Sequence, residues 1–123
     1  MIVKFKVDNL KNMNAQLKEF SEFLRSFGIS DEDVFFSRLV SCELLANVIR
    51  HGGEAAEFCG ELLSDRIAVT VKAQSQKDID LEPVRPDVFA ESGRGLYIIN
   101  EVSLNGIERG ENGELRVYIR RTK

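Results

Sequence analysis

Three side chains able to do chemistry stand four residues apart in Ser41-Cys-Glu-Leu-Leu-Ala-Asn-Val-Ile-Arg-His-Gly-Gly53: Glu43, Asn47 and His51. With about 3.6 residues per helical turn, each step of four drifts only about 40°. A helix through this stretch therefore lines up a carboxylate, a carboxamide and an imidazole on one face. Leu44, Leu45, Ala46, Val48 and Ile49 fill the rest of the circumference. An acid and an amide on so apolar a helix belong at the edge of a core, facing either solvent or a ligand. Read on that helix alone, they fit the solvated face of an amphipathic segment more readily than a site, and His51 is more often a C-terminal residue favoured by the helix dipole than a ligand.

A second constellation is Glu91-Ser-Gly-Arg-Gly-Leu-Tyr-Ile-Ile99. Gly93 and Gly95 allow close approach of backbone to a ligand, and a helix opening there presents free N–H groups to an anion such as phosphate. Arg94 adds a permanent, fork-shaped cation. A Gly-x-Gly before a helix is, on its own, more often a simple turn.

Both motifs need elements to position them. Alternation over Ile2–Val7 predicts a half-buried edge strand with Lys4 and Lys6 outward. Apolar residues from Leu10 to Phe27 recur with helical period, Asp8-Asn9 offers a cap, and Gly28 a stop. Ser30 with Asp33 resembles a capping box that opens a second helix over about Asp31–His51, stopped by Gly52-Gly53. Ala56–Leu63 and Arg66–Ala73 predict a strand hairpin, the first weakened by Gly60. Residues 74–92 lose periodicity and carry Pro83 and Pro86 among Asp78, Asp80, Glu82, Asp87 and Glu91, the pattern of a lid loop. A short helix follows, and then strands over Ser103–Arg109 and Glu114–Arg121 around Asn112-Gly113, a strong hairpin signal. The order is β-α-α-β-β-loop-α-β-β. It predicts one α+β domain over residues 1–123: a two-layer sandwich of one mixed sheet covered on one face by three helices. Phe35 and Phe36 are expected in its core with Leu17, Phe20, Phe23 and Phe27.

The chain has 123 residues and a formal net charge of −3. No basic run exceeds Arg120-Arg121, so the footprint of a nucleic-acid binder is missing. Cys42 and Cys59 lack metal-ligand spacing and fit a reducing compartment as small buried hydrophobes. No long uncharged apolar run occurs. A cytoplasmic protein, without membrane span or direct nucleic-acid contact, is expected.

Taken together and in order, the two motifs resemble those of the Bergerat-fold (GHKL) ATPases, the gyrase and histidine-kinase group, and among these the anti-sigma-factor serine/threonine kinases. Those kinases carry Glu-Leu-x-x-Asn-x-x-x-His-Gly, here Glu43 to Gly52, and Ser-Gly-Arg-Gly-Leu, here Ser92 to Leu96. The resemblance implies Mg2+ and ATP as cofactors, with Asn47 the magnesium ligand and Glu43 the general base or water-orienting group. It implies that Gly93, Arg94, Gly95 and Leu96 close over the phosphates, with Arg50 and His51 flanking the pocket. The partners implied are a sigma factor and an anti-sigma-factor antagonist protein, and the protein itself would be a homodimer.

The resemblance has one gap. Where the family carries Asp-x-Gly-x-Gly after the central strand, this chain reads Ala73-Gln-Ser75-Gln-Lys77, and neither Asp78 nor Asp80 precedes a glycine. The adenine-binding box is degenerate. Losing one buried hydrogen bond to a ligand costs about 1–3 kcal/mol. The sequence thus supports a protein kinase of partner-switching regulation, or a non-catalytic protein-binding module on the same fold with weakened nucleotide binding.

Overall fold

The computed structural model describes residues 1–52, 55–73, 92–111 and 113–122, with residues 10, 50–52 and 92–96 in backbone only. The described elements are β1 (Ile2–Val7), α1 (Leu10–Ser26), α2 (Asp31–Gly52), β2 (Ala56–Leu62), β3 (Arg66–Ala73), α3 (Ser92–Val102), β4 (Ser103–Arg109) and β5 (Leu115–Arg120). The strands form a five-stranded sheet in the order β1-β2-β3-β5-β4. The expected α+β sandwich is present, with one refinement. All four pairings are antiparallel rather than mixed. β4 does run in the same direction as β3, but the tight β4–β5 hairpin folds β5 back between them, so the two never pair.

Alternation along the strands sorts side chains onto two faces. Val3, Gly60, Val69, Val117 and Ile107 form one continuous cross-strand row toward the helices. Gly60 leaves a gap in that row, and Phe20 of α1 fills it. A Cβ at Gly60 would lie 2.4 Å from Phe20 Cε1. Phe58 meets the same ring edge-on at 5.1 Å and stacks on Phe5 at 4.5 Å. The glycine that weakened the strand prediction is therefore the socket that seats α1 on the sheet.

The helix signals act as the sequence indicates. Asn9 Oδ1 accepts the Asn12 N–H at 3.0 Å at the start of α1. Gly28 at φ +80° lets the chain reverse, with Gly28 N–H donating to Arg25 O and Ile29 N–H to Leu24 O. Ser30 Oγ accepts the Asp33 N–H at 3.2 Å. The reciprocal half of the capping box is absent, because the Asp33 carboxylate is used elsewhere. Fully buried, it accepts the Thr122 N–H at 2.6 Å and faces Arg120 Nε at 3.7 Å, while Arg120 also reaches Glu32 at 2.8 Å. The acid at the head of α2 thus ties the end of the last strand to that helix.

Three expectations about packing need correction. Phe35 is 59% exposed, because its position on α2 faces away from both α1 and the sheet. Phe27 is 38% exposed, lying past the last turn of α1 against Phe23. Cys42 and Cys59 are half-buried free thiols rather than fully buried ones. The lid expected at 74–92 lies outside the described residues except for Ser92, which opens α3. Among the described residues no helix is long and apolar enough to cross a membrane.

Gly60→Ala is expected to destabilise the protein by about 1–3 kcal/mol through overpacking. The change should appear as a lower urea midpoint at unchanged slope. Adding Phe20→Leu should cost less in the Gly60→Ala background than in the parent, since the two side chains compete for one space.

Candidate functional site

The helix α2 packs against both other helices and against β2, β3 and β5. Its middle is enclosed: Leu44, Leu45, Ala46, Asn47 and Val48 are all buried. Five consecutive buried residues span more than one full turn, so α2 has no solvated face at this level. The reading of Asn47 as part of an exposed polar stripe therefore fails. One turn earlier, Glu43 is half-buried and engaged with a neighbour.

Asn47 is 5% exposed, and its Nδ2 has no hydrogen-bond partner among the described residues. An enclosed amide left unsatisfied costs about 1–3 kcal/mol. Ser37 Oγ on the same helix is also unpartnered. A serine hydroxyl can rotate onto a carbonyl of its own helix, whereas the Asn47 NH2 finds no partner among the described residues. A fixed polar group in an apolar helix is the arrangement that binding sites use to orient a ligand.

The second motif starts α3, which packs on α2 and buries Ile99 in the shared core. Ser92, Gly93, Arg94 and Gly95 form its first turn, with Leu96 following. Their N–H groups are the ones a helix leaves without internal partners. The two motifs thus ride on helices in mutual contact. The side chains of Arg50, His51, Arg94 and Leu96 lie outside the described residues, as do residues 74–91, including Asp78 and Asp80.

The donor set bears on what could bind. Among the described residues no group of three or more His, Cys, Asp or Glu side chains could hold a metal. A divalent ion held by protein groups alone is therefore not built into the described part of the chain. One carboxamide oxygen fits Mg2+, which keeps several oxygens for water and phosphate and needs only one or two protein ligands. The Asn47 carboxamide could supply one such oxygen, and its unpartnered Nδ2 is a donor for a ligand oxygen.

A larger concavity, about 750 Å3, lies on the opposite face of the sheet, lined by Lys4, Cys59, Thr70, Arg116 and Tyr118 among others. Sequence reasoning did not anticipate it, although the outward positions of the strands supply its lining. Arg116 Nε donates to Thr70 Oγ1 at 3.2 Å. Burial pushes the Cys59 thiol up despite nearby Lys4 and Arg116, which disfavours a reactive thiolate. Size alone does not make this groove the functional site, because it contains neither motif and no activated group.

The histidine kinase-like ATPase domain family model matches residues 7–117, which include both motifs. This bears out the broad resemblance read from the sequence and does not separate subgroups within it. No curated protein sequence matches the chain.

Replacing Asn47 tests whether its amide serves the fold. Asn47→Leu conserves shape and removes the unsatisfied NH2, so the nucleotide-free protein is expected to be as stable as the parent or about 1–2 kcal/mol more stable. Urea unfolding measures this, and a clear loss of stability would assign Asn47 a structural role.

Proposed function

The chain belongs to the histidine kinase-like ATPase domain family, and on that premise we propose that it binds Mg-ATP and acts as an anti-sigma-factor-type serine/threonine protein kinase. The observation that carries this reading is Asn47, buried on a helix enclosed by the rest of the fold, with its Nδ2 unpartnered among the described residues and so left as a donor for a ligand oxygen. In this reading Asn47 gives its amide oxygen to Mg2+, and the ion, when bound, neutralises phosphate charge. Glu43 accepts a proton from, or orients, the attacking hydroxyl, a role suited to a carboxylate held on a rigid helix. Gly93, Arg94, Gly95 and Leu96 hold phosphates at the start of α3, where N–H groups and the dipole favour anions. Arg50 and His51, in the last turns of α2, flank them.

By the same reading the hydroxyl belongs to a serine of a small antagonist protein, and the kinase holds a sigma factor inactive until the antagonist displaces it. A homodimer accompanies this role. Such a reaction demands little covalent chemistry from the protein, and its rate comes from positioning and charge stabilisation.

A specific observation favours a second reading. The residues after β3 are Gln74-Ser-Gln-Lys77 instead of the acid and glycines that receive adenine in the resembled kinases. A protein-binding module that has lost or weakened its nucleotide would keep the fold and both helices.

Differential scanning calorimetry with Mg-ATP, Mg-ADP and Mg-GTP separates the two. At free nucleotide about 100-fold above Kd, stabilisation of about 2.7 kcal/mol is expected. Asn47→Ala should abolish the shift. Glu43→Gln should keep it while reducing phosphotransfer to a serine-bearing antagonist by roughly 10²–10⁴-fold. The absence of a shift with any nucleotide would refute the kinase reading and leave the binding module.

A further inference from the structure

A second concavity, about 420 Å3, opens where the first two turns of α2 meet the end of α3 and the start of β4. Its floor is apolar, made by Phe36, Val102, Leu104 and Ile119, and Glu32 and Glu101 stand at its walls. Large apolar side chains are exposed around it. Leu104 is 45% exposed and Phe35 59%, with the Phe35 ring 5.7 Å from that of Phe36. Tyr97, 63% exposed, lies one turn before Glu101 on the same face of α3. The patch borders β4, an edge strand of the sheet.

Charge decides what such a patch accepts. Among the described residues Arg120 is the cation at the cavity, and Glu32 at 2.8 Å and Asp33 at 3.7 Å already engage it. The described lining thus carries two carboxylates, Glu32 and Glu101, and one guanidinium, and Glu101 is left as the negative excess beside an apolar floor. Nucleic acid, phosphate and anionic lipid would all be repelled. A second copy docked through the same patch about a two-fold axis would set these acids against themselves.

We propose that this cavity is a docking site for a basic segment of a partner protein, one that inserts a large apolar side chain over Phe36 and Leu104 and sets lysine or arginine against Glu101. Apolar anchors seated in a pocket provide most of the energy of such contacts, and rim charges select the partner and speed its arrival. The site is separate from Asn47 and stands whether or not nucleotide binds.

The test uses the full chain and fluorescence anisotropy at physiological salt. The probe is a labelled synthetic peptide of leucines and lysines in helical alternation, with two controls: the same peptide with glutamate in place of lysine, and oligolysine. The leucine–lysine peptide is expected to bind and both controls to bind at least roughly tenfold more weakly. Glu101→Lys and Leu104→Ser should each weaken the leucine–lysine peptide by roughly tenfold. Glu61→Lys, the same charge change on β2, should leave it unchanged. Failure of the peptide to bind would overturn the proposal. So would equal losses in Glu101→Lys and Glu61→Lys, which indicate attraction to an acidic protein in general, or oligolysine binding as tightly. Self-association of the chain that disappears in Leu104→Ser would make the patch an interface between copies and overturn it as well.

Discussion

The enclosure of α2 is the constraint on which the rest of the structure depends. It is the helix that touches α1, α3 and three strands of the sheet. Where Leu44 to Val48 are all buried, a polar side chain has nowhere to go but into the protein. Water cannot satisfy Asn47 cheaply there, so the carboxamide is a standing cost of about 1–3 kcal/mol in the free protein. Folds concentrate such local conflicts at functional sites and offset them elsewhere.

The offset comes from contacts that fix α2 and its neighbours in place. Phe20 seated over Gly60 sets the height of α1 above the sheet, and α1 in turn walls one side of α2. At the other end, Asp33 holds the Thr122 N–H and faces Arg120, joining the head of α2 to the last strand. A buried carboxylate is poor evidence of stability by itself, since its desolvation opposes its attraction to a cation. Its value here is geometric. With the head of α2 tied to the last strand and its side walled by α1, Glu43 and Asn47 are held on a fixed helix within the core.

The described helices cover one face of the sheet, and the larger concavity lies on the other. The open face carries alternating lysines, glutamates and arginines, as solvated strand positions do. The cavity beside β4 differs because the start of α2, the end of α3 and the start of β4 leave a gap between them, lined by Phe36 and Leu104. Apolar surface and uncompensated acid are left side by side there, a combination that a solvent-facing surface alone does not require.

Much of the fold was legible in the sequence. β1, β3 and β4 have the limits that alternation predicts, and Asn9, Gly28 and Ser30 mark the helix ends they signal. These features are local: a strand alternates and a helix end needs a cap whatever packs against them. The spacing of Glu43, Asn47 and His51 likewise placed them on one helical face, and the order of the two motifs pointed to the family. Tertiary structure decided the rest. It made the sheet antiparallel by folding β5 between β3 and β4. It turned Gly60 from a weak point into a socket, drew Asp33 away from its cap toward Thr122, and left Phe35 outside the core. It also showed that Asn47 faces protein rather than solvent. Each depends on residues distant in sequence that share one small volume, and periodicity within a segment carries no information about which other segment will fill that volume.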